Sequence, residues 1–116
     1  MAKIVLIDDS DHTSNYLKMV LIQAGHQVVT PVAGEDLFNQ MQANEPDLVI
    51  IDPFFAKGDC QPRVEQIKRR FPRIPIFVWS ARNKEKNNQI TCQADAYFLK
   101  NVLAADLIRD IVMRDD

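Results

Sequence analysis

Lys3-Ile4-Val5-Leu6-Ile7-Asp8-Asp9-Ser10 sets the reading of this chain. Four apolar residues, three of them β-branched, run without a polar break and then give way to two acids. A continuous apolar run of this length is the pattern of a strand covered on both faces, as in a parallel sheet, rather than one with a wet side. The same grammar recurs downstream. Leu48-Val49-Ile50-Ile51 is followed by Asp52, Ile76-Phe77-Val78-Trp79 by Ser80, and Ala96-Tyr97-Phe98-Leu99 by Lys100. A shorter run, Val28-Val29, leads only into Thr30-Pro31.

Helical periodicities fill the gaps. Tyr16, Leu17, Val20, Leu21 and Ala24 make one stripe, closed by Gly25 as a left-handed cap. Leu37, Phe38 and Met41 make a second, which Pro46 prevents from continuing, and Val64, Ile67 and Phe71 a third, stopped before Pro72. Leu103, Leu107, Ile108 and Ile111 make the last, with Asn101 as its cap. The segment Asn83-Lys84-Glu85-Lys86-Asn87-Asn88-Gln89 is polar all round and reads as a weak, solvated helix. Strands alternating with helices predict an α/β fold: a doubly wound, five-stranded parallel sheet with helices on both faces and right-handed crossovers. The common order for such a sheet is 2-1-3-4-5.

The bulk properties fit one domain. The chain has 116 residues, 47% of them hydrophobic, and a net charge of −2, too mild to imply nucleic acid or a membrane surface. Cys60 and Cys92 form no metal-type spacing and no disulfide framework, which suits a reducing compartment. The apolar start is too short for a signal-peptide core, and no stretch approaches bilayer length. The expected location is cytoplasmic. Lys68-Arg69-Arg70, with Arg73 beyond, falls at a helix carboxyl end, where cations oppose the dipole, so it argues for no nucleic-acid partner. His12 and His26 lack companion ligands at metal spacing and read as surface or turn residues. The three glycines, Gly25, Gly34 and Gly58, make no dinucleotide-binding loop.

In an open parallel sheet, ligands bind beyond the carboxyl ends of the strands, where the strand order reverses. For the order 2-1-3-4-5 the reversal lies between the first and third strands, the two that end in aspartate. Asp8, Asp9, Asp52 and Ser80 could each be turn or N-cap residues, and Lys100 a surface lysine. Together they resist that reading. Carboxylates brought to ~4 Å repel by about 4 kcal/mol per pair at an intermediate dielectric, so a fold that gathers them provides for a cation. Oxygen ligands favour Mg²⁺, which keeps several waters and takes phosphate oxygens as further ligands. A lysine and a hydroxyl beside it would hold the phosphate.

These four segments, with Ala94-Asp95 before the fifth strand, resemble the response-regulator receiver domain, the CheY-like module of two-component signalling with a flavodoxin-like fold. The resemblance covers the whole chain, in family order and near-family spacing. It implies that residues 1–116 are one receiver domain without an output domain, and that Asp52 is the phosphoacceptor. Asp8, Asp9 and Asp52 would hold Mg²⁺, joined by the backbone carbonyl of Phe54. Ser80 would be the hydroxyl that follows the phosphoryl group, Lys100 its cationic partner, and Tyr97 the aromatic rotamer switch. The phosphodonor would be a sensor histidine kinase or a histidine phosphotransfer protein, and the signal would leave through a downstream protein partner. The segment from Asn83 to Gln89 would be the lightly packed element that rearranges. The domain would catalyse only its own phosphorylation and dephosphorylation.

Some positions depart from the family pattern. Asn101 stands where a proline usually follows the lysine, and a non-proline cis bond costs about 3 kcal/mol, so the loop should be trans. Ala56 replaces the usual proline four places after the aspartate, and Cys60 the usual glycine eight places after it. Pro53 has no N–H to offer a phosphoryl oxygen. By the family pattern Phe54 and Arg82 would flank the path of a hydrolytic water, and they are expected to lengthen the life of the phosphorylated state. These changes would also suit a pseudo-receiver that works by interaction without phosphorylation, although the intact aspartates, serine and lysine oppose it. A haloacid-dehalogenase-type phosphatase is the enzyme alternative, since Asp9-Ser10-Asp11-His12-Thr13 fits its D-x-D-x-T motif. No acidic pair follows Lys100 on a further strand, the chain is short for that core, and Asp52 would have no role.

Overall fold

The computed structural model describes residues 2–7, 11–31, 37–52, 60–80, 94–99, 109 and 111, with the side chains of 11–14, 60–62, 80 and 99 outside that description. The elements run β1 (Lys3–Ile7), α1 (Asp11–Gln23), β2 (Gln27–Val29), α2 (Leu37–Asn44), β3 (Leu48–Ile51), α3 (Cys60–Arg70), β4 (Ile76–Ser80) and β5 (Ala96–Leu99). The five strands form one sheet in the order β2-β1-β3-β4-β5, every neighbouring pair parallel. That is the doubly wound sheet the strand grammar predicts.

Alternation along each strand explains why the runs are apolar throughout. Val5, Ile7, Val49, Ile51, Ile76 and Val78 pack on one face with Leu37 and Met41 of α2 and Val64 and Ile67 of α3. Ile4, Leu6, Leu48, Ile50, Phe77 and Trp79 pack on the other with Leu17 and Leu21 of α1 and with Ile111. Each strand therefore feeds two cores, and burying a large side chain such as Phe77 or Trp79 contributes roughly 2–3 kcal/mol.

The helix stops have identifiable causes. At the end of α1 the Gly25 N–H donates to the Ile22 carbonyl and the His26 N–H to that of Leu21, both at 3.0 Å, with Gly25 at φ 96°. This is a Schellman turn, and the left-handed glycine is what permits it. The second helix ends at Asn44 because Pro46 disfavours right-handed helical geometry at the residue before it. Glu45 takes φ 49° instead, an uncommon conformation for a residue with a Cβ. The third helix ends at Arg70, ahead of Pro72, as expected, and carries Lys68, Arg69 and Arg70 in its last turn.

Two sequence expectations need correction. Tyr16 does not belong to the buried stripe of α1: it is 47% exposed, because it lies about 100° around the helix from Leu17. Ala24 is exposed as well, because it falls beyond Gln23, where helical periodicity no longer applies. His26 does take part in the turn, one of its two expected readings, but is not on the surface: it is 6% exposed, and its Nδ1 accepts the N–H of Ala2, the residue before β1. The polar segment from Asn83 to Gln89, the cap Asn101 and Leu103, Leu107 and Ile108 lie outside the described residues. Of the final helix, Arg109 and Ile111 are described, both helical, with Ile111 buried.

Candidate functional site

The sheet places the ends of β1, β3, β4 and β5 side by side. Ile7 pairs with Ile51, Ile51 with Val78, and Val78 with Tyr97, so four strands share one level just below the carboxyl edge. Asp52 is the residue after that level on β3. Its N–H donates to the Ile7 carbonyl at 2.8 Å, which carries the β1–β3 ladder one residue past the strand. The Asp52 backbone is thereby fixed to the strand that leads into Asp8, and the residue is half-buried. Ser80 ends β4 and pairs with Leu99, the residue before Lys100.

Tyr97 sits in the middle of β5. Its ring packs against the core shared with α2 and α3, and its hydroxyl accepts a hydrogen bond from the Ala94 N–H at 3.1 Å. Phe98, on the opposite face, meets Phe77 with ring centroids 5.5 Å apart. The structure thus brings the backbones of Asp52, Ser80 and Tyr97 to neighbouring strands at one edge. Asp8, Asp9, Phe54 and Lys100 lie outside the described residues, as does the Ser80 side chain. Among the described residues no group of three or more His, Cys, Asp or Glu side chains is placed to hold a metal ion.

The comparisons with known proteins agree with this fold. The response regulator receiver domain family matches residues 4–112. The chain belongs to the response-regulator receiver family. It is a receiver domain of two-component signalling. Among curated relatives it is 31% identical over 104 residues to the transcriptional regulatory protein AfsQ1 of Streptomyces coelicolor, a match that covers 88% of this chain and 46% of that protein. The chain spans less than half the length of the curated relatives it matches. Among solved structures, the BeF3-activated receiver domain of Klebsiella pneumoniae RstA superposes with a TM-score of 0.82 at 20% identity, covering 96% of both chains. TrrA of Thermotoga maritima, in complex with Mg(2+)-BeF, does so with a TM-score of 0.81 at 21% identity, covering 97% of this chain and 98% of its own. Those two likenesses are likenesses of fold.

The opposite edge of the receiver sheet holds residues to which sequence reasoning gave no role. Asp47, just before β3, accepts the Lys3 N–H on Oδ2 at 2.8 Å and returns its own N–H to the Lys3 carbonyl at 2.7 Å. Asp95, just before β5, does the same with Ile76, at 2.8 Å in each direction. His26 takes the Ala2 N–H on Nδ1 at 2.9 Å, while the Gln27 N–H donates to the Ala2 carbonyl at 2.9 Å. That bond fixes His26 as the tautomer protonated on Nε2, and Nε2 itself is buried with no hydrogen-bond partner. Lys68 lies 3.8 Å from Asp95 Oδ2, and the Arg70 guanidinium sits 4.9 Å from the Phe38 ring centroid. These two cations of the last turn of α3 therefore serve the fold. A signal was available for the aspartates, since each stands directly before a strand.

Proposed function

We propose that this receiver takes a phosphoryl group on Asp52 from a phosphohistidine of a sensor kinase or histidine phosphotransfer protein, and passes the signal to a downstream protein. The observation that carries the reading is the position of Asp52: one residue past β3, bonded through its N–H to the last residue of β1, at the point where the strand order reverses. An Asp52 carboxylate oxygen attacks the phosphorus in line. The O–P bond forms as the P–N bond breaks, and the electron pair returns to the donor imidazole. Lys100 neutralises charge on the transferring oxygens, and Ser80 then hydrogen-bonds the acyl phosphate.

The register supports a cation site, because Asp8 follows the β1 residue paired with Ile51, and Asp52 follows Ile51 itself. Asp8, Asp9, Asp52 and the Phe54 carbonyl supply an all-oxygen set that suits Mg²⁺, and the ion would neutralise phosphoryl charge there. That TrrA, of the same fold, was solved with Mg(2+)-BeF supports the choice.

The test is intact-protein mass after incubation with a small acyl-phosphate donor and Mg²⁺. The wild type gains one phosphoryl group and Asp52→Ala gains none. A wild type that stays unmodified with the small donor and with a kinase alike would leave the domain as an interaction module.

A further inference from the structure

We propose that the hydrogen bond from the Ala94 N–H to the Tyr97 hydroxyl is a latch: it holds the Tyr97 ring toward the amino end of β5 and must open for the activated state to form. This rests on the reading of Asp52 as phosphoacceptor and Tyr97 as the moving ring, and adds what restrains that ring beforehand.

The hydroxyl lies 3.1 Å from a nitrogen three residues back along the chain, so the ring leans away from the carboxyl edge. The level of Ser80, paired with Leu99, is two residues forward. Ala94 lies before β5 and Leu99 ends it, so the two places sit on opposite sides of Tyr97, and a side chain pivoting on one Cα reaches one at a time. The ring can attend one or the other, never both, and that exclusivity makes a two-position device.

The anchor is firm. Asp95, next to Ala94, exchanges two 2.8 Å hydrogen bonds with Ile76 and pairs with Lys68 of α3 at 3.8 Å. The opposite face of β5 is pinned through Phe98 against Phe77. Neither the strand nor its entry has to move for the latch to open; the Tyr97 side chain, half-buried on the α2–α3 side, does. One neutral hydrogen bond biases such an equilibrium by roughly two- to tenfold, enough to suppress basal activity and little enough for a phosphoryl group to overcome.

Tyr97→Phe keeps the ring and removes the acceptor, so the variant keeps its core. Two measurements on the full chain decide: exchange of the Ala94 amide hydrogen by NMR, and titration with beryllium fluoride and Mg²⁺ followed in the same spectra. The latch predicts that the Ala94 amide exchanges about two- to tenfold faster in Tyr97→Phe, and faster in wild type once beryllium fluoride is bound. It predicts that Tyr97→Phe half-saturates at a concentration two- to tenfold lower, because the competent state no longer competes with the latched one. Unchanged Ala94 exchange in the variant, or unchanged or weaker beryllium fluoride binding, overturns the latch while leaving phosphorylation of Asp52 standing. Failure of both proteins to bind beryllium fluoride defeats the phosphoacceptor reading, and the latch falls with it.

Discussion

The two edges of this sheet use the same residue type for opposite ends. At the amino edge Asp47 and Asp95 precede their strands, and each carboxylate takes the first N–H of the neighbouring strand, which would otherwise have no ladder partner. At the carboxyl edge Asp52 follows its strand, and the bond that joins it to β1 is made by its backbone N–H. An aspartate before a strand closes the sheet; an aspartate after a strand is held in place by the sheet. The difference arises from parallel geometry, because every strand starts at one edge and finishes at the other. All the starting N–H groups collect at one side, and all the strand ends, Asp52 and Ser80 with them, at the other.

Two aspartate substitutions, one at each edge, should have opposite effects. Asp52→Ala is expected to abolish phosphoryl uptake while moving the unfolding free energy by less than about 1 kcal/mol, since the Asp52 N–H bond to Ile7 survives. Asp95→Ala is expected to cost about 2 kcal/mol, because it leaves the part-buried Ile76 N–H unpaired, while uptake persists. The exposed Lys68 pair adds little to that figure. Denaturant unfolding and intact mass, run on both variants, read the two effects; a common loss of both properties would erase the distinction between the edges.

His26 sharpens the amino edge. His26→Ala leaves the buried Ala2 N–H without an acceptor and opens a cavity, for an expected loss of about 2 kcal/mol. His26→Asn can offer its amide oxygen where Nδ1 stood and should recover about 1 kcal/mol of that in urea unfolding. If the two variants are equally unstable, the hydrogen bond contributes nothing beyond packing. The smallest effect is expected at Glu45, whose φ of 49° costs a residue with a Cβ what glycine avoids. Glu45→Gly should stabilise by about 0.5–1 kcal/mol, and a loss in thermal unfolding would mean that the Glu45 side chain outweighs its strain.

The places of Asp52 and Ser80 at the carboxyl edge were legible in the sequence because β3 and β4 announce themselves as unbroken apolar runs and the next residue is polar. The order of the strands followed from the doubly wound pattern. The amino edge was legible only in that Asp47 and Asp95 stand directly before strands; which N–H each accepts depends on separations of 44 and 19 residues, and His26 reaches across 24, so no periodic trace shows the pairing. The burial of His26 was missed for this reason: nothing local marks it as buried, and its place depends on the turn at Gly25 and on Ala2. Tyr16 was misread for another. With Leu17 and Leu21 fixing the buried direction, it falls on the flank of α1, where Met19 and Ile22 are exposed too. At Glu45 the sequence signal goes only part of the way: Pro46 disfavours right-handed helical geometry at the residue before it, but does not by itself select a positive φ there.

Phosphorylation at Asp52 would leave an acyl phosphate, which can be located directly. Borohydride reduces an aspartyl phosphate to homoserine, so the wild type should be incubated with Mg²⁺ and a small acyl-phosphate donor, reduced, digested and sequenced by mass spectrometry. Homoserine is expected at position 52. Homoserine at Asp8 or Asp9, or at no position after full exposure to the donor, would contradict phosphorylation of Asp52.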